Sequence, residues 1–443
     1  MPRLFGTDGV RGVAGRDLTT DLAERLARAA VTALPWPTGP RAALIGRDTR
    51  ESGEMLEAAL VSGFSAVGVE AMLAGVLPTA AVAYLTRSLG AGLGVVISAS
   101  HNPAEDNGIK FLSRDGTKLS EAQEDAIESA LASVGRAPTG GARDGARRCD
   151  DGESRYVEYL RSCCPAPLSG LRVVADFANG AAYRVGPQLF RALGADLTAL
   201  NNAPDGKNIN AGCGSLHPEV VAAAVTEAGA QIGVTLDGDA DRCLLCDERG
   251  QAVDGDQILG IVAAHDPEAA AEHTVVGTVM SNLGLERALT ALGKRLERAP
   301  VGDRYVWERM VATGAQLGGE PSGHIIFRRH ATTGDGLLTA LKVLDVMQAT
   351  GTPLSELAAV VQPVPQVLRS VPVRSRHGWE INAAIAQAVA DAEAALGGAG
   401  RLLVRASGTE PRIRIMIEGE SRDTIEALAE RLERVVAREL GGP

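Results

Sequence analysis

A strand–helix–strand order recurs three times along this chain, and it limits the fold more than any other feature. Residues 42–46 read as a strand, 53–66 as a helix and 68–73 as a second strand. The order returns at 171–176, 186–193 and 194–200, and again at 275–279, 283–292 and 293–298. In each copy a glycine ends the helix, where a left-handed cap is needed, and a strand follows. Strands joined through a helix pair in parallel and need helices over them. The expectation is an α/β protein: three related α/β domains with mixed, mostly parallel sheets. At 443 residues the chain exceeds what one core can serve. Its apolar fraction of 45% supplies several cores, and with aromatics at only 3% these are built from many small contacts.

Composition marks the joints. Residues 135–154 are rich in Gly, Arg, Asp and Pro, and a second boundary falls around Asp254-Gly255-Asp256. Gln362-Pro363-Val364-Pro365 excludes helix and central strand by its alternate prolines. The division is therefore 1–150, 151–254, 255–365 and 366–443. The last part reads as a short strand, an amphipathic helix over 379–396, two strands around residues 405–411 and a helix from Arg422. That order suits a smaller α+β domain of a different type.

A net charge of −11 argues against nucleic acid or an anionic membrane as partner. No run approaches the roughly 18 apolar residues of a membrane span, and no apolar signal core follows Met1. The expected location is the cytoplasm. Cys243 and Cys246 form a C-x-x-C inside an apolar strand-like run without further cysteine or histidine ligands, and read as core thiols.

Four loops carry chemistry. Residues 93–97 form a short buried strand that stops at Ser98-Ala99-Ser100-His101-Asn102-Pro103. Ser100 then stands at the end of a rigid scaffold with open space in front, and a second turn is expected at Asn107-Gly108. Loop serines more often only satisfy turn backbone, so the nucleophile reading depends on the other loops. Asp237-Gly238-Asp239-Ala240-Asp241-Arg242 follows the strand-like run 232–236. Three carboxylates on alternate residues can converge on one hard cation. An EF-hand is excluded because its obligatory sixth-position glycine is Arg242 and strands flank the loop. Few further oxygens suit Mg²⁺, which keeps open positions for phosphate. Gly318-Gly319-Glu320-Pro321-Ser322-Gly323-His324 offers a carboxylate, a hydroxyl and an imidazole to a polyhydroxylated ligand. Arg405 to Arg412 sets two arginines around Ser407, Gly408 and Thr409, as a phosphate clamp or a solvated hairpin tip.

The opening stretch Phe5-Gly6-Thr7-Asp8-Gly9-Val10-Arg11-Gly12 has too many glycines for a helix or strand interior. It is expected to be a loop, either flexible or lying against an anion with Arg11 as partner. Serine, metal and phosphate sites together point to phosphoryl transfer. A Ser-His-Asp hydrolase lacks its G-x-S-x-G elbow at Ser100 and leaves the metal idle.

The Ser100 stretch resembles the active-site serine motif of the α-D-phosphohexomutase superfamily, and the three other loops match its metal, sugar and phosphate motifs in order. The N-terminal Phe5–Gly12, Asn208-Ile209-Asn210 with Cys213-Gly214-Ser215, Val301-Gly302-Asp303-Arg304-Tyr305 and Ser407-Gly408-Thr409-Glu410-Pro411 single out its amino-sugar branch. The likeness covers essentially the whole chain. One departure is Pro321, where that branch usually has glutamine; Glu320, Ser322 and His324 stay in place.

The resemblance implies three α/β domains and a fourth, TATA-binding-protein-like domain around a central cleft. The implied reaction takes glucosamine 6-phosphate to glucosamine 1-phosphate, feeding UDP-N-acetylglucosamine and cell-wall synthesis. Ser100 would rest as a phosphoserine and pass through a 1,6-bisphosphate, with glucosamine or glucose 1,6-bisphosphate as activator. One Mg²⁺ would sit on Ser100, Asp237, Asp239 and Asp241. Arg11, His101 and Lys110 join the catalytic group, with Lys110 or His101 as acid–base. Arg242, Gly302, Asp303, Glu320, Ser322 and His324 would meet the sugar, and Arg405, Ser407, Gly408, Thr409 and Arg412 the non-reacting phosphate. The partner is a small sugar phosphate, and a homodimer is compatible with the reading. Two rivals remain: a phosphomannomutase or phosphoglucomutase built from the same parts, and a catalytically dead sugar-phosphate sensor.

Overall fold

The computed structural model describes residues 3–6, 8–36, 41–135, 146–164, 166–407 and 410–441. The chain forms two compact units, Met1–Thr278 with Glu297–Val360, and Val279–Leu296 with Val361–Pro443.

The first unit opens with a six-stranded sheet of β1 (Val10–Val13), β2 (Ala42–Arg47), β3 (Glu70–Val76), β4 (Leu93–Ile97), β5 (Asp106–Ser113) and β6 (Ala146–Arg148). Their order is β1-β5-β4-β2-β3-β6. The β2, β3, β4 and β6 pairings are parallel, and β5 joins β4 and β1 antiparallel. The helix Thr20–Ala33 starts where the Thr19 side chain accepts the Leu22 N–H. It buries Leu26, Ala27 and Ala30, each full leucine burial contributing about 1.5–3 kcal/mol. Its neighbour Ser52–Ser65 packs closely because a Cβ at Gly63 would meet the Glu24 carbonyl at 2.3 Å.

The second sheet contains β7 (Arg172–Asp176), β8 (Asp196–Leu200), β9 (Ile232–Leu236), β10 (Cys243–Asp247) and β11 (Ala252–Val253), in the order β11-β10-β9-β7-β8. Its β7–β8 and β7–β9 pairs are parallel. The third has β12 (Thr274–Thr278), β13 (Arg295–Ala299), β14 (Leu317–Gly319) and β15 (Ile325–Phe327), ordered β13-β12-β14-β15. In the second unit, β16 (Gln366–Pro372), β17 (Arg401–Ala406) and β18 (Arg412–Glu418) form an antiparallel sheet ordered β16-β18-β17. The helices Ala383–Leu396 and Arg422–Leu440 cover one face of it through Ile385, Ile425 and Leu432. The second unit also takes the helix Leu283–Ala291 out of the third repeat.

The three glycines after the repeat helices do adopt left-handed backbone, with φ of +73° at Gly68, +85° at Gly194 and +72° at Gly293. Cys243 and Cys246 are buried on β10 as free thiols. Among the described residues, no helix is long and apolar enough to cross a membrane.

Three local expectations are corrected. Arg11 and Gly12 are not loop but strand, because β1 pairs with β5 in the register Arg11↔Gly108 and Gly12↔Asn107. For the same reason Asn107-Gly108 is no turn. Gly108 is needed instead for close approach, since a Cβ there would lie 2.4 Å from the Ser98 carbonyl. The helix expected over 379–396 begins only at Ala383, where the Asn382 side chain caps it.

Candidate active site

The buried strand β4 delivers Ser98 to Ser100 to the end of the first sheet. Ser100 is not exposed as its loop position suggests: it is 1% accessible, with φ of +52°. That left-handed turn aims its Oγ at Asp237 Oδ2, 2.6 Å away, with His101 Nδ1 at 3.2 Å.

Asp237, Asp239 and Asp241 follow β9, all three buried, with ligand oxygens within 4.8 Å of one another. Gly238 lets this loop meet the serine loop, because a Cβ there would sit 2.5 Å from the Ser100 carbonyl. Burial and the neighbouring Asp241 and Asp239 push the Asp237 carboxyl well above its ordinary range. Asp239 shifts the other way: burial opposes ionisation, but the Lys110 ammonium at 2.8 Å keeps the carboxyl charged. Among the described residues, the Oδ1 atoms of Asp239 and Asp241 are buried without a hydrogen-bond partner. Carboxylate oxygens left without hydrogen bonds and converging beside a serine hydroxyl fit a hard divalent cation such as Mg²⁺.

Fixed cations surround the aspartates. Lys110 reaches Asp8 at 2.9 Å as well as Asp239, and Arg11 pairs with Asp8 from the adjacent strand. Burial pushes the His101 imidazole down to about 4, reinforced by Arg242 and Arg11. Arg242 lies over the loop, its Nε 3.9 Å from Asp241 Oδ1.

The loop between β14 and β15 brings Glu320, Ser322 and His324 into the same unit. Glu320 Oε1 accepts the Gly302 N–H at 2.9 Å, and Ser322 Oγ is 3.5 Å from Glu320 Oε2. His324 Nε2 accepts the Gly334 N–H at 3.1 Å and stands 3.5 Å from Asp303 and 3.8 Å from Asp241. Lys118 joins Asp303, at 2.5 Å, to Asp8. Carboxylate and ammonium thus alternate from the aspartate loop through Lys110, Asp8 and Lys118 to Asp303, beside which His324 stands. Lys118 was not singled out from the sequence; a lone lysine in a turn carries no signal until its partners are assembled. Pro321 contributes its carbonyl, which accepts the Gly255 N–H at 3.1 Å.

Arg405, Ser407 and Arg412 belong to the second unit, and Gly408 and Thr409, like Thr7, lie outside the described residues. Arg412 Nε donates to Ser370 Oγ at 2.7 Å and its Nη2 to the Ser370 carbonyl at 2.8 Å. Arg405 instead faces Arg414 directly across β17–β18, on the side away from the helices. Burial and the Arg414 charge push the Arg405 guanidinium down. The two arginines line a groove of about 320 Å³ with Ser370, Leu368, Leu403 and Met416. Arg414 was missed in the sequence because only strand register reveals its cross-strand partner.

Models of the phosphoglucomutase/phosphomannomutase family match four successive regions. These are alpha/beta/alpha domain I over residues 2–137, domain II over 154–250, domain III over 254–364 and the C-terminal domain over 368–435. A phosphoglucosamine mutase of Desulforudis audaxviator is 51% identical over 441 residues, covering 98% of each chain. Another from Symbiobacterium thermophilum is 52% identical over 448 residues, covering 99% of this chain and all of the relative. A solved phosphoglucomutase/phosphomannomutase family protein from Burkholderia thailandensis superposes with a TM-score of 0.82 at 25% identity, over 98% of this chain and 97% of that one. Half the residues shared over essentially the whole length, on four domain regions in the family's order, show that the chain belongs to the phosphoglucosamine mutase family.

Proposed function

We infer that this chain interconverts glucosamine 6-phosphate and glucosamine 1-phosphate, with Ser100 carrying the phosphoryl group between turnovers. The observation that carries the reading is the 2.6 Å contact between Ser100 Oγ and Asp237 inside a buried cluster of three aspartates. Such a cluster serves a nucleophile that bears a dianion, and a binding module has no use for it.

In the forward half-reaction the sugar 1-hydroxyl attacks phosphorus. The bond from phosphorus to Ser100 Oγ breaks as the new bond to oxygen forms, giving the 1,6-bisphosphate. The sugar hydroxyl loses its proton as it attacks, and the departing Ser100 Oγ gains one, which His101, with Nδ1 3.2 Å from Oγ, is placed to hand over; Lys110, held by Asp8 and Asp239, balances charge. The bisphosphate then turns over: Ser100 Oγ gives up its proton and attacks the 6-phosphorus, the bond from phosphorus to the sugar 6-oxygen breaks, and that oxygen takes the proton as the 6-hydroxyl. Asp237, Asp239 and Asp241, with the Ser100 oxygen, would hold Mg²⁺. Bound there, the ion would draw charge from the phosphoryl oxygens.

Glu320, Ser322 and His324, with Asp303, Gly302 and Arg242, orient the sugar hydroxyls and amino group. The non-reacting phosphate is held by Arg405 and Arg414 with Ser407, Gly408 and Thr409; Arg412 braces β16. Glucosamine or glucose 1,6-bisphosphate serves as activator, and the product feeds UDP-N-acetylglucosamine synthesis in the cytoplasm. The test is turnover of glucosamine, mannose and glucose 6-phosphates side by side, with Mg²⁺ and glucose 1,6-bisphosphate added. Preference for the glucosamine substrate is expected. Equal or better turnover of either other sugar would overturn the assignment.

A further inference from the structure

Arg50 is fully buried just after β2, and the proposed reaction does not use it directly. A guanidinium has five N–H donors, and every one of the five is engaged. Nε donates to Asp48 Oδ2 at 2.9 Å. Nη2 donates to the carbonyls of Ser100 at 3.0 Å and Asn102 at 2.8 Å. Nη1 donates to the carbonyls of Pro103 and Asp106, the latter at 2.9 Å. One side chain therefore holds four carbonyls of the turn that begins at the nucleophile.

The same pair reaches Ser100 from its other side. Asp48 Oδ2 accepts the Ser98 hydroxyl at 2.6 Å, and Ser98 Oγ accepts the Ser100 N–H at 2.9 Å. Both backbone groups of Ser100 are thereby fixed through Arg50 and Asp48. Asn210 adds a second donor to the Ser100 and Asn102 carbonyls, at 2.9 and 3.1 Å. This anchoring matters because Ser100 sits at φ +52°, where a residue with a Cβ persists only when its surroundings hold it. An extended Ser100 would turn Oγ away from Asp237.

We propose that Arg50 and Asp48 together position the nucleophile: Arg50 through four carbonyls of the turn, and Asp48 through Ser98 and the Ser100 N–H, hold Ser100 in the left-handed conformation from which Oγ reaches the aspartate cluster. The proposal rests on the phosphoserine reading given above. Lysine keeps the charge but has three donors, so Arg50→Lys leaves carbonyls of the turn unheld. Ser98→Ala removes the relay from Asp48 to the Ser100 N–H while keeping the Asp48–Arg50 ion pair and all five Arg50 donations.

The experiment measures kcat and KM for glucosamine 6-phosphate, thermal unfolding, and the rate at which added glucose 1,6-bisphosphate phosphorylates Ser100, followed by intact mass. For Arg50→Lys, kcat and the phosphorylation rate are expected to fall about ten- to a hundredfold, with KM within about twofold. For Ser98→Ala the same split is expected at about tenfold. A role confined to stability would lower the unfolding temperature and leave the phosphorylation rate of folded enzyme unchanged. If Arg50→Lys does not fold, Ser98→Ala decides alone. A folded variant that phosphorylates within about twofold of the parent overturns the proposal. A parent protein that never acquires phosphate on Ser100 refutes the underlying function instead.

Discussion

Gly238→Ala isolates the fit between the aspartate loop and the serine loop. The new Cβ would lie 2.5 Å from the Ser100 carbonyl, and 2.9 Å from both the Asn210 amide nitrogen and Ile209 Cδ1. A Cβ needs about 3.4 Å from an oxygen, so the loops must separate by roughly 0.9 Å, and Asn210 cannot yield without releasing the Ser100 carbonyl. That displacement exceeds the tolerance of the 2.6 Å contact between Ser100 Oγ and Asp237. A misplacement of about 1 Å at reacting groups costs on the order of a hundredfold in rate, whereas overpacking costs about 1–3 kcal/mol of stability. The variant should therefore fold, melt several degrees lower and lose about a hundredfold in kcat. The assay is coupled turnover of glucosamine 6-phosphate at saturating Mg²⁺ beside thermal unfolding. Gly398→Ala, where a Cβ meets nothing within 4 Å among the described residues, is the control. A kcat within about twofold of the parent in Gly238→Ala would refute the claim that the two loops are held at closest approach.

Ser100→Ala should abolish turnover and remove the phosphorylated species from the intact-mass spectrum, while stability changes by less than about 3 kcal/mol for one charged hydrogen bond. Turnover near the parent level would sink the phosphoserine. Arg414→Ala should raise KM for glucosamine 6-phosphate and glucosamine 1-phosphate alike, by about ten- to a hundredfold, and Arg412→Ala by much less. The reverse order would mean that cross-strand register does not choose the phosphate partner. Burial pushes the Asp335 carboxyl up from 3.8 to about 6 although Leu338 N–H and Tyr156 OH donate to it. The folded chain thus binds this proton more tightly than the unfolded one, and stability falls as pH rises from 3.8 to about 6. The loss is about 3 kcal/mol across that window. In Asp335→Asn the unfolding temperature should depend less on pH between those values; an unchanged slope would assign the effect elsewhere.

The repeats, the sheet type and the loops of the first unit were legible in the sequence because each depends on local signals. Apolar periodicity set the strands, left-handed glycines ended the helices, and small polar residues stopped β4 and β9 where Ser100 and the aspartates emerge. What failed were the places where a distant strand changed the meaning of a local pattern. The glycines at positions 9, 12 and 108 look like turn residues, yet Gly12 and Gly108 lie in paired strands, and Gly9 passes a Cβ position 2.4 Å from the Ile109 carbonyl. The burial of Ser100 likewise depends on the Asp237 loop, 137 residues away in sequence. Arg50, Lys118 and Arg414 stayed silent because an isolated basic residue has no periodicity or motif to announce it. Their meaning comes from partners brought together by sheet register and loop packing: four carbonyls for Arg50, Asp8 and Asp303 for Lys118, and Arg405 for Arg414. Short-range sterics and capping act over a few residues and can be read along the chain. Hydrogen-bond saturation and charge pairing act through space, so only the tertiary structure decided them.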